Sequence, residues 1–447
     1  MLKEYMMGLG YSEEQIDKII NAKPINHYRE ETLCNKVKVI FEYLLEFRYK
    51  QEQIIILTTF NPVIFAYDLN SLKEKINNLL SYGYSQQDIV LISLGYMRIF
   101  GISIDSMNEK INYLMELGYT EEEIIKMTRR YPRLYSCSNN DIEKRINELI
   151  SLGYKNRDTI IKMGKKCPMI YGRSLISIKQ NIKFMLEYYP NMNDIIKITK
   201  DCPNIIVMSN DTIKKRVMNI EKKFSYSRDE IIKIGKNWPN LYTCSILLLE
   251  NKLNDIMSLG YNSMDIVKKM IIKFPKLLGL SIENMFQTIE DMKLLGYSDK
   301  EILYMGKMFP SLYSFNINTI RQKFNELKEL GYTDTQIIYI TVEFPSLYGL
   351  SMDTIREKKC FYDSIGLGEV FLIEPRQIMQ SVELSYARYM FYKNEELSVD
   401  MSNYRILFIG QKIFEKRYSK TKEELISEYN YHSDIKDTYK SRKKIMM

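Results

Sequence analysis

The chain has 447 residues, of which 45% are hydrophobic, with 64 basic and 56 acidic side chains, a net charge of +8, six cysteines and two histidines. This apolar content excludes a disordered chain, and the mild basicity permits a nucleic-acid partner without requiring one. No CxxC pair occurs, which argues against a structural zinc site. No apolar run approaches the roughly 20 residues that cross a bilayer, so no membrane role is expected.

The first residues, MLKEYMMGLGYSEEQ, contain no signal-peptide core and no Arg/Ser-rich leader, so a cytoplasmic protein is expected. They already belong to a repeat. Tyrosines that follow a glycine recur at Tyr11, Tyr84, Tyr119, Tyr154, Tyr261, Tyr297 and Tyr332. Tyr49, Tyr189 and Tyr226 fill the gaps, with Arg48, Tyr188 and Ser225 in the glycine slot. Ten units of 35 to 38 residues result. A period of this length signals a solenoid, whose units bury their apolar faces only against neighbours.

Each unit reads alike. A hydroxyl residue and an acid or amide three positions on predict a capped helix: Ser12 with Gln15, Ser85 with Asp88, Thr120 with Glu123, Ser227 with Glu230, Ser298 with Glu301, Thr333 with Gln336. An apolar stripe such as Ile124, Ile125, Thr128 and Tyr131 has helical spacing. Proline then stops the helix at 24, 62, 132, 168, 203, 239, 275, 310 and 345, with Met97 as the exception. A short apolar turn follows (Leu134-Tyr135, Leu241-Tyr242), then a Ser/Asn-rich link and a second helix such as Asp141 to Leu152, with Ile142, Ile146, Leu149 and Ile150 on one face. The closing glycine suits a left-handed C-cap. Cys167 and Cys202 share the slot before the proline and read as small buried residues in a reducing compartment.

Past Gly366 the pattern changes. Helices at 376–393 and 403–418, and a last one capped by Thr421 with Glu424, predict a terminal cap. The expected organisation is a repeat array over 1–366, capping helices over 367–432 and a basic tail over 433–447. The fold class is an all-α solenoid of about ten units.

The unit LGYTEEEIIKMTRRYPRLYSCSNNDIEKRINELIS, with YPRLY, FPKLL, FPSLY and KINNLLSYG elsewhere, resembles the repeat of the mitochondrial transcription termination factor (mTERF) family over about residues 8 to 392. The resemblance implies a curved superhelix of helical triplets, a basic concave face that holds DNA or RNA, a role in transcription termination or regulation or in RNA metabolism, and no enzymatic activity.

The residues agree on the last point. GxxxxGK[ST], GxSxG and HExxH are absent, and His27 and His432 lie at opposite ends. Neither cofactor nor metal is expected. Acids such as Glu121 to Glu123 answer the dipole of the helix they start. The distinctive feature is a basic ladder. Lys126, Lys162, Lys197, Lys233 and Lys269 stand six residues before the proline, and Arg129, Lys165, Lys200, Lys236 and Lys307 three before it. Positions three apart share a helix face. The adjoining Arg130, Lys166 and Lys273 complete the candidate phosphate-binding set. Residues 121–275 hold 28 basic against 17 acidic side chains, so the charge is concentrated where the ladder runs.

A second basic row, eight or nine residues before the closing Gly-Tyr, comprises Lys75, Lys110, Arg145, Lys252, Lys323 and Lys358; it reads as either a solvated face or further contacts. The tyrosines of the anchor slot read as packing. The expected protein is a monomer that binds nucleic acid by its backbone. A protein partner on a scaffold without a nucleic-acid role is the alternative.

Overall fold

In the computed structural model of the protein, residues 1–431 are described; the expected basic tail lies outside them. Among the described residues every regular element is helical, and the protein is an all-α solenoid. The chain divides into two compact units, Met1–Cys244 and Ser245–Met447.

The first helices of the repeats in the first unit are α1 (Glu13–Ile20), α2 (Gln51–Phe60), α3 (Gln86–Gly95), α4 (Glu121–Arg130), α5 (Arg157–Lys166), α6 (Met192–Asp201) and α7 (Arg228–Asn237). Those of the second are α8 (Met264–Lys273), α9 (Asp299–Met308) and α10 (Asp334–Glu343). All six expected capping boxes form, and so does that of Thr421 with Glu424.

The proline does more than end a helix. The residue before it is forced out of the helical region, as at Tyr131 (φ −142°, ψ 75°) and Phe309 (φ −135°, ψ 76°). The proline then opens a short 3-10 helix, Pro132–Ser136 or Pro310–Ser314, where its missing N–H costs nothing. Each full unit is therefore a triplet. In the unit with Met97 in the proline slot, Tyr96 adopts the same conformation (φ −141°, ψ 83°), and the 3-10 helix shrinks to Ile99–Gly101. The Ser/Asn-rich link is a second cap: Ser103, Ser138, Ser174, Ser209 and Ser245 each accept a backbone N–H at the start of the second helix.

Three stripe positions differ from the pattern. In α4 the buried residues are Ile124, Met127 and Thr128, with Ile125 and Tyr131 on the flank. In the second helix, Asn139–Ser151, Ile150 is likewise only half-buried. The glycine slot is left-handed at Gly153 (φ 105°), and its substitutes Arg48 (φ 86°) and Ser225 (φ 55°) take the same region. Tyr188 does not; there the N–H of Tyr189 closes the helix on the Met185 carbonyl. A Cβ at Gly153 would also sit 3.0 Å from Ile196 Cδ1 of α6, a contact the isoleucine would have to ease by a few tenths of an ångström.

The expected helices at 376–393 and 403–418 each resolve into a 3-10 turn and a helix: Pro375–Met379 with Val382–Asn394, and Tyr404–Phe408 with Gln411–Tyr418. Ser381 caps the former, which restarts the backbone pattern of the repeats.

Neighbouring repeats are joined through the anchor tyrosines, all buried as their slot predicts. Tyr84 Oη lies 2.8 Å from Thr128 Oγ1 and 2.7 Å from Tyr135 Oη. Tyr154 meets Thr199 at 2.6 Å, and Tyr297 meets Thr341 at 2.6 Å and Tyr348 at 2.7 Å. The partner slot, four residues before the proline, holds Thr, Ser or Gly in these pairings. Where it holds glycine, tyrosine rings fill the space that a side chain would take: Tyr189 lies 2.6 Å from Tyr242 and donates to the Ile232 carbonyl at 3.1 Å. A Cβ on Gly235 would sit 2.5 Å from Tyr242 and 2.7 Å from Tyr189. Gly235→Ala is therefore expected to destabilise by roughly 1–2 kcal/mol, because overpacking exceeds the gain of up to about 1 kcal/mol in helix propensity. A urea midpoint measures it. Gly8→Ala, with nothing within 4 Å of its Cβ, is the control that shows the propensity gain without overpacking.

Candidate nucleic-acid interface

The packing of a first helix dictates which of its faces is left for a ligand. Seven residues before the proline, Ile125 and Ile196 lie against the glycines of preceding repeats. Four before it stands the hydroxyl or glycine slot. The cations occupy the remaining positions, and the structure sorts them into three kinds.

Two residues before the proline, the cation sits on the carboxyl end of the next first helix. Arg130 Nη1 lies 3.5 Å from the Lys166 carbonyl, and Lys166 Nζ lies 3.4 and 3.2 Å from those of Lys200 and Asp201. In the second unit Lys273 Nζ reaches the Lys307 carbonyl at 3.3 Å. These cations offset the negative end of the helix dipole.

Three before the proline, the cation reaches back to an acid in the first turn of the preceding first helix. Arg129 pairs with Asp88 at 3.0 Å, Lys165 with Glu123, and Lys236 with Asp194 at 2.7 Å. The hydrogen bond from Lys165 holds the Glu123 carboxyl below the usual carboxylate range. Those acids read from sequence as answers to their own helix dipole; they also clamp the next repeat. The signal was available, since cation and acid stand 41 or 42 residues apart each time. Lys200 and Lys307 are in no ion pair among the described residues.

Six before the proline, the side chains are exposed. Lys126 pairs at 2.5 Å with Glu122 of its own helix, both so exposed (61% and 78%) that the pair contributes little. Lys162, Lys197, Lys233 and Lys269 are in no ion pair among the described residues.

Six of the sequence-predicted residues converge. Lys126, Arg130, Lys162, Lys165, Lys166 and Lys200 line an open cleft of about 610 Å³ over α4, α5 and α6, facing only two carboxylates, Glu123 and Asp201. Arg129, Lys197, Lys233 and Lys236 lie in the same unit outside that lining, while Lys269, Lys273 and Lys307 belong to the second unit. Thr159, Glu123 and Asp201 also line the cleft and were not among the expected residues.

The second basic row corrects both of its sequence readings. Lys75 Nζ donates to the Phe100 carbonyl at 2.5 Å, Lys252 to that of Leu280 at 3.1 Å, Lys323 to those of Tyr348 and Leu350, and Lys358 to that of Ile378. Lys110 donates to Asn139, and Arg145 pairs with Glu148 at 2.6 Å. These side chains are inward, tying most second helices to the next turn, and burial lowers the pKa of Lys75, Lys110, Lys323 and Lys358. Sequence cannot separate them from surface lysines, because what buries them is the next repeat's backbone.

Among the described residues no helix is long and apolar enough to cross a membrane. A family model described as mTERF matches four overlapping stretches of the chain, residues 4–191, 134–264, 177–290 and 256–368. A search of curated proteins finds no match.

Proposed function

Because the chain belongs to the mTERF family of helical-repeat proteins, we propose that it binds nucleic acid through phosphate contacts along the exposed faces of α4 to α7, serving transcription termination or regulation, or RNA metabolism. One observation carries this reading. On α4 to α7 the cations two or three residues before the proline are engaged within the structure, on helix ends or in ion pairs between repeats, in the case of Arg129, Arg130, Lys165, Lys166 and Lys236, yet Lys162, Lys197, Lys200 and Lys233 on the same helices face solvent with no carboxylate partner among the described residues. Lys126, only weakly engaged, extends the same row. A row of uncompensated charge repels itself in the free protein, and a polyanion relieves that repulsion.

Phosphate contacts position a strand without reading its sequence. Arg129 and Lys236, held by Asp88 and Asp194, act here as positioning residues that keep adjacent helices in register. The test is a salt titration of binding by fluorescence anisotropy. With about five lysines displacing counterions, log K against log salt is expected to slope near −4.5 for duplex DNA or −3.5 for a single strand. A flat response removes the reading.

A further inference from the structure

We propose that Tyr304 and Tyr339 are stacking platforms for unpaired bases, so that the nucleic acid is single-stranded where it crosses α9 and α10. This rests on the nucleic-acid reading above and specifies its ligand. The slot six residues before the proline holds Lys269 in α8, but tyrosine in α9 and α10. α8 packs against α9, and α9 against α10, so the three slots follow one another across neighbouring helices, whose axes pack about 8–10 Å apart.

The two rings are unlike the tyrosines around them. Tyr304 is 40% and Tyr339 47% exposed, whereas Tyr297, Tyr313 and Tyr348 are at most 3% exposed. The buried tyrosines have hydroxyl partners; Tyr304 and Tyr339 have no hydrogen-bond, ring or cation partner among the described residues. A single exposed aromatic needs no explanation. Two successive ones, in the slot that holds exposed Lys269 on the preceding helix α8, place a flat apolar face where a strand crossing α8 to α10 would present its bases.

The neighbouring charges fit a base at each ring. Exposed Lys307 lies three residues on from Tyr304, on the same helix face, where it meets the phosphate of a nucleotide whose base covers the ring. Exposed Glu343 lies four residues on from Tyr339 and repels a phosphate, so a base rather than backbone occupies that step. Some RNA-reading helical-repeat proteins take one splayed base per repeat, and an aromatic face accepts any base because every base has a π-face. In a duplex the bases are stacked on one another and offer no free face to either ring.

The test uses the full chain with a 12-nucleotide single strand containing 2-aminopurine, and a duplex of the same sequence. Tyr304→Ala and Tyr339→Ala are each expected to weaken single-strand binding by about 5- to 100-fold, to reduce the quenching of 2-aminopurine, which the double variant abolishes, and to leave duplex binding unchanged. Tyr304→Phe and Tyr339→Phe keep the face and stay within about twofold of wild type. Circular dichroism melts check that the exposed substitutions leave the fold intact. Alanine variants that bind and quench like wild type overturn the stacking role, while a steep salt dependence in the same samples leaves the phosphate reading standing. Wild-type protein that binds neither strand nor duplex at low salt overturns both.

Discussion

Protein carrying Lys162→Glu, Lys197→Glu and Lys233→Glu together is expected to bind nucleic acid at least ~100-fold more weakly at moderate salt, with the salt slope reduced by about 3. These lysines stand on successive first helices, are exposed, and are in no ion pair among the described residues. Reversal therefore removes three phosphate contacts, introduces three repulsions, and breaks nothing within the fold. The control is Lys144→Glu, Lys179→Glu and Lys222→Glu, a triple of equal charge change on exposed positions of second helices. It lowers the long-range attraction alone, so a loss below about tenfold is expected. Equal losses in the two triples would assign the binding to net charge rather than to the first-helix row.

Alkali is expected to unfold the protein cooperatively between about pH 10 and 12. The cause is the buried tyrosines. Burial pushes Tyr154, Tyr171, Tyr242, Tyr297 and Tyr313 up to about 12, and Tyr84, Tyr119, Tyr135 and Tyr189 are raised as well. A phenol whose folded pKa exceeds its unfolded value near 10 contributes stability that is complete below pH 10 and is lost as pH rises toward the folded value. Each such group weakens the fold by roughly 1.4 kcal/mol per pH unit across that window, because only the unfolded chain releases its proton. Lys75, Lys110, Lys323 and Lys358 act with the opposite sign, since burial lowers their folded pKa values, but they are fewer than the tyrosines, and Lys75 and Lys323 are only half-buried. Far-UV dichroism and phenolate absorbance should change together. Phenolate absorbance that reaches its full value for all 35 tyrosines while the helices persist would show that the hydroxyl pairs are open to solvent.

The units, their caps, the proline break and the closing glycine were legible in the sequence because each is local: a handful of consecutive residues contains the physical cause. Thr120 with Glu123 caps a helix wherever it occurs. The two basic rows were equally visible, but their roles were not. Lys162 and Lys110 are both lysines at helical spacing in a repeat, yet one is exposed and the other is buried with its ammonium on Asn139 of the next repeat. That difference depends on how repeats stack, and no pattern within one repeat encodes it. The hydroxyl slot lies between these cases. Thr128, Gly164, Thr199 and Gly235 alternate in a way that looks like noise until Tyr171 and Tyr242 are seen to occupy the space that glycine leaves.

Each joint between repeats spans to the adjoining repeat and stops. Tyr84 meets Thr128, Lys166 meets the end of α6, and Lys165 meets Glu123. A gene that gains or loses one whole repeat, cut at the same phase on both sides, therefore places a like hydroxyl, a like carbonyl and a like acid opposite each freed partner. A cut at any other phase leaves a buried phenol or ammonium with nothing to meet. This architecture favours changes in chain length in steps of about 35 residues, so the length of the array is inherited in whole units.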